Sequence, residues 1–112
     1  MRQLFKTTSS RWWMSRRAKL IMIPVFILAL INFFSFIFID LYLGGDAVNG
    51  YVRDGHYFLC SHGYYTEVSR AIWTYSYWHA MSVFVTHGMV FVSAAVFLNT
   101  GDMALEKRAP MD

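Results

Sequence analysis

His79 and His87 lie eight residues apart in a stretch that begins at Trp73, opens with aromatic residues and runs on into an apolar segment. A neutral imidazole carries one donor and one acceptor. It can relay a proton near neutral pH, bind a metal, or serve as an axial ligand to haem. In apolar surroundings both ring nitrogens need partners, because leaving a polar group unpaired there costs several kcal/mol. A second apolar segment offers candidates. Asn32 and Asp40 are also eight residues apart. On a helix that separation is about 80° of rotation. In an antiparallel helix pair one register therefore sets Asn32 against His87 and Asp40 against His79. Ser82 and Thr86, four apart and so on one helical face, fall between the histidines. Such residues either lock two helices in register or hold a proton, a metal or a cofactor.

Two further patterns bear on metals. Cys60 is the single cysteine, so it forms no disulfide within the chain. On an extended strand Cys60 and His62 point to one side, where they would share a copper or zinc ion. No histidine lies in the first apolar segment, so bis-histidine haem would need a second chain. No cofactor is expected as the leading reading; haem or copper is the alternative. The chain shows no set of nucleophile, base and acid, no phosphate loop, no catalytic pair of carboxylates and no HExxH. An enzyme is not expected.

The elements that must position these residues follow from composition. The chain has 112 residues, 56% hydrophobic and 15% charged. That is too apolar for a small domain surrounded by water. Residues 20–39 and 80–98 each reach the ~20 apolar residues needed to cross about 30 Å of hydrocarbon. The expected fold is an all-α membrane protein, a two-span transmembrane helical hairpin with a short extracytoplasmic β-hairpin in the loop. Its expected parts are a basic cytoplasmic lead over 1–19, helix 1 over 20–43, the loop over 44–66, a long helix 2 over 67–99 with its membrane part near 78–98, and a tail over 100–112. The first apolar run exceeds the roughly 7–15 residues of a signal peptide core, so it is expected to be retained.

Arg2, Lys6, Arg11, Arg16, Arg17 and Lys19 precede the first span with no acidic residue among them, whereas the loop is mixed in charge. The positive-inside rule then puts both termini in the cytoplasm of a bacterial inner membrane and the loop on the periplasmic or extracellular side. These cations suit anionic headgroups, with Trp12 and Trp13 in a short amphipathic piece there and a disordered tail as the alternative for the first ten residues; nucleic acid is not an expected partner. Asp54-Gly55 reads as a hairpin turn between 51–53 and 56–60, with Ser61-His-Gly63 ending the second strand. Thr66 and Glu67 read as the start of helix 2.

Tyr51, Tyr57, Tyr64 and Tyr65 make the loop rich in tyrosine, as protein interfaces are. Ser82, Thr86, Gly88 and Ala94 give helix 2 a small packing face. The expected function is that of a small interaction protein of the bilayer. It would be an accessory or stabilising subunit joined to other membrane subunits, or to copies of itself. The alternatives are a redox or metal-handling module using His79 and His87, or Cys60 and His62, and an immunity-type protein that binds a partner through its loop.

Overall fold

The computed structural model describes residues 10–107. The remainder of the basic lead, with Arg2 and Lys6, and the tail after 107 lie outside the described residues. The elements run β1 (Ser10–Met14), α1 (Arg16–Leu43), β2 (Asp46–Arg53), β3 (His56–Ser61), β4 (Tyr64–Val68), α2 (Arg70–Thr100) and β5 (Met103–Lys107). The expected all-α hairpin is therefore corrected. Two helices are joined by five antiparallel strands in two sheets, an α+β fold.

The departures have two causes, a tight turn and the meeting of distant segments. Ser61-His-Gly63 does not merely end a strand. His62 and Gly63 take positive φ of 49° and 83°, a tight reversal that sends the chain back as β4 along β3. Thr66 and Glu67 are thus strand residues, and Ser69 caps α2 instead, its Oγ accepting from the Ile72 N–H at 3.2 Å. Antiparallel helices also bring the two ends of the chain together. β1 pairs with β5 from Ser10 opposite Lys107 to Met14 opposite Met103, so the Trp12–Trp13 segment is a strand.

α1 begins at Arg16, with Ser15 Oγ accepting from the Ala18 N–H at 3.1 Å. This early start leaves Pro24 inside the helix rather than in its first turns. Gly44 ends α1 in the left-handed region, and the N–H groups of Gly44 and Gly45 both donate to the Asp40 carbonyl, at 2.9 and 2.8 Å. Both helices are long and apolar enough to cross a membrane by length and composition.

The molecule measures 71 × 35 × 19 Å, with one sheet at each end of the helix pair. At the terminal end Ala18, Met22 and Phe97 form a small core, packed by Met14, Val90, Ala94 and Met103. Arg17 joins the two termini there. Its Nη2 donates to Asp102 Oδ2 at 2.6 Å, and the Thr100 hydroxyl donates to the same oxygen at 2.7 Å. Hydrogen bonds from Thr100 first, then Arg17 and Ser15, hold the Asp102 carboxyl down at about 2 from its usual 3.8. Because the folded value lies below the unfolded one, this stabilisation is present above about 3.8 and disappears as pH falls towards 2. Asp102→Asn is expected to lower the thermal midpoint at pH 7, and the gap from the parent to narrow steadily as pH falls from about 4 through about 2. A gap constant from pH 7 to 2 would count against the ionised contact.

Candidate functional site

The three-stranded sheet β2–β3–β4 stands on the first turns of α2. Strand alternation sends Tyr57 and Leu59 to one side and His56, Phe58 and Cys60 to the other. The first side docks. Leu59 is fully buried, and Tyr57 is half-buried, its ring 6.0 Å from Trp73. The Trp73 Nε1–H donates to the Phe58 carbonyl at 3.2 Å, and the buried Ser76 hydroxyl accepts from the Ala47 N–H at 2.9 Å.

β2 reaches this position through a bulge. Its register changes between Asp46, opposite Cys60, and Tyr51, opposite Phe58. The Asp46 carboxylate holds the bulge by accepting from the Asn49 N–H and amide at 2.9 and 2.8 Å. Asn49-Gly50 thus forms part of a bulge, while Asp54 and Gly55, at φ 50° and 77°, make the hairpin turn.

The other side of the sheet carries an aromatic cluster. Tyr51 stacks on Phe58 with ring centroids 4.9 Å apart and meets Tyr65 edge-on at 5.1 Å. Tyr65 is the cross-strand partner of Cys60, which is buried. His56 Nδ1 contacts Glu67 Oε1 at 2.5 Å beside the cluster. Tyr51 and Tyr65 are 40% and 56% exposed, so the cluster is displayed rather than packed away. The four loop tyrosines of the sequence analysis are therefore divided. Tyr57 turns inward against α2. Tyr64 is well exposed. It is adjacent to Tyr65 in β4 and so directed to the opposite face. Phe58, absent from that set, stacks on Tyr51, which is the member that both other rings contact. The period-two relation of Phe58 to His56 and Cys60 was the available signal.

Between the helices, Asn32 is the hub of a polar track. Its Oδ1 lies 3.1 Å from His79 Nε2, and its Nδ2 donates to Ser82 Oγ at 3.1 Å and Thr86 Oγ1 at 3.4 Å. An amide oxygen only accepts, so His79 carries its proton on Nε2. Nδ1 of the neutral ring then accepts from the Tyr75 hydroxyl at 3.1 Å. Ser82 donates onward to the His79 carbonyl at 2.6 Å, and Thr86 to that of Val83 at 3.1 Å. Phe36 packs edge-on against the imidazole at 5.5 Å.

The pairing expected from spacing is corrected accordingly. Asn32 meets His79, not His87, because its side chain turns towards His79, Ser82 and Thr86, while His87, at nearly the same depth, packs on Phe33. His87 Nδ1–H donates to the Val83 carbonyl of its own helix at 2.9 Å, with Phe33 edge-on at 5.5 Å. Asp40 lies near the end of α1, and its carboxylate makes no ion pair among the described residues. The small face of α2 is likewise divided. Ser82 and Thr86 face Asn32 and Ala94 packs on the terminal core, whereas a Cβ on Gly88 would meet nothing within 4 Å.

Cys60 and His62 do not form a metal centre with a third ligand. His62 leaves the strand for a left-handed turn, and no three His, Cys, Asp or Glu side chains converge among the described residues. Cys60 and His62 instead line a polar concavity of about 460 Å³ with Asp46, Asn49 and Ser61.

The chain matches no known protein family, no characterised protein and no solved structure. Two constellations carry its chemistry. The Asn32 track is a closed set of satisfied donors and acceptors, suited to fixing helix register. The aromatic face is open, polar at its rim and unpaired, suited to recognition.

Proposed function

We propose that this chain is a small membrane-anchored interaction protein, an accessory subunit that presents its three-stranded sheet to a larger membrane assembly. The observation that carries the reading is the Tyr51–Phe58–Tyr65 cluster on the face of the sheet that α2 does not cover. Tyrosine and phenylalanine supply large contact area with little loss of side-chain freedom, and aromatic residues dominate interface energetics. Arg53 and the His56–Glu67 pair give the rim its polar groups.

Anchoring in a bilayer is supported by the helices. Only 11% and 6% of their most apolar windows are buried within the chain, which core helices of a water-soluble domain would not tolerate. Phe26, Ile31, Phe38, Phe84 and Phe91 are all half or more exposed along them. Arg11, Arg16, Arg17 and Lys19 cluster at the terminal end, whereas the far sheet carries Asp46, Asp54 and Glu67 beside Arg53. By the positive-inside rule the terminal sheet is cytoplasmic and the aromatic face lies on the other side, in a bacterial inner membrane.

The test is native electrophoresis of gently solubilised membranes that contain the full chain. Tyr51→Ser with Tyr65→Ser is expected to weaken its co-migration with a larger assembly at least tenfold, about 1.4 kcal/mol. Helix content should be unchanged, because neither side chain supports α2. Undiminished co-migration of the double variant would defeat the assignment of this face.

A further inference from the structure

Met14, Met22 and Met103 come from β1, α1 and β5 to line one concavity of about 260 Å³, together with Ile23, Phe26 and Ile27. Met14 and Met103 are cross-strand partners at the end of the terminal ladder. Met22, 8% exposed, sits in the core against which both of them pack. Three thioethers from three elements are thus gathered at one place. The chain has seven methionines in all, and leucine or isoleucine would fill an apolar hollow equally well.

A thioether sulfur is a neutral, polarizable, soft donor. Soft donors select Cu(I), whereas hard divalent cations need carboxylate or carbonyl oxygen. No acidic or amide side chain lines this hollow. We propose that Met14, Met22 and Met103 form a thioether site for a soft monovalent cation, Cu(I). The site is independent of the aromatic sheet face and lies at the opposite end of the molecule.

The experiment titrates the full-length protein in detergent with Cu(I), under reducing conditions and against a competing chelator. Cys60→Ser is used throughout, so that the thiol supplies no binding. One equivalent of Cu(I) is expected, with a sulfur-only first shell in X-ray absorption. Met→Leu at positions 14, 22 and 103 conserves volume. The triple variant is expected to bind at least a hundredfold more weakly while keeping its helix content. Met89→Leu, remote from the hollow and 43% exposed, should bind like the parent. Should the triple variant fail to fold, Met14→Leu alone is expected to weaken binding at least tenfold. A nitrogen or oxygen shell, a parent that the chelator strips completely, or folded Met→Leu variants that bind undiminished would each overturn the site and leave the methionines as gap-filling core residues.

Discussion

Gly50→Ala is expected to open the three-stranded sheet and release it from α2. A Cβ on Gly50 would overlap the Phe58 carbonyl oxygen and stand 2.9 Å from its carbon and 3.1 Å from the Leu59 Cα. All three are backbone atoms, so no side chain can rotate away. The same carbonyl accepts the Trp73 indole N–H, and Leu59 is the fully buried centre of the sheet. Relief would require β2 to move, at a cost of about 3 kcal/mol or more, near the top of the range for one substitution. Trypsin cleavage after Arg53 and amide exchange over β3 should both accelerate sharply. Gly55→Ala is the contrast. Its Cβ meets nothing within 4 Å, and its φ is +77°. It carries only the left-handed backbone penalty, roughly 1 to about 2 kcal/mol. Equal protection of β3 in the Gly50→Ala protein and its parent would mean that the bulge is not as close as described.

Asn32→Leu is expected to be the most damaging single change between the helices, at about 1–3 kcal/mol. It leaves the His79 Nε2–H without its acceptor beside Phe36, while Ser82 and Thr86 keep their bonds to carbonyls of their own helix. On the bilayer reading the lower part of that range applies, since interhelical polar contacts there reach about 1.7 kcal/mol. Nitrogen chemical shifts of His79 should move from the Nε2–H tautomer towards a mixture, and the thermal midpoint in detergent should fall. His87→Phe is expected to be milder, because its ring bonds only within α2. Cysteine pairs at 32 and 79 in a Cys60→Ser protein should cross-link faster than pairs at 32 and 87. The reverse order would restore the pairing that spacing alone suggested.

That exchange of partners is set by contacts between distant segments. Equal spacing of Asn32 and Asp40 with His87 and His79 is compatible with many axial offsets of two helices. Choosing among them takes the packing of Phe33, Phe36 and Ala80 and the docking of Ala47 on Ser76, all of which are contacts between distant segments. The hub itself was legible, since Asn32 is an isolated amide in an apolar run. The aromatic face was half legible. Its tyrosines stood out by composition, but their division into inward Tyr57 and outward Tyr51 and Tyr65 required strand alternation to be carried through the Asp54-Gly55 and His62-Gly63 turns.

By itself, the amino-acid sequence determined what is local. Two long apolar runs make helices of suitable length, Gly44 and Gly101 stop them with left-handed backbone, and Asp54-Gly55 turns a hairpin. Each of these rests on residues within a few positions of one another. The tertiary structure alone decided the α+β character. β1 and β5 have no reason to be strands until the antiparallel helices bring Ser10–Met14 beside Met103–Lys107, so that each satisfies the other's backbone N–H and C=O groups. β4 likewise becomes a strand because β3 offers it a free edge. The same convergence of distant segments gathers Met14, Met22 and Met103 around one hollow and sets His79 against Asn32.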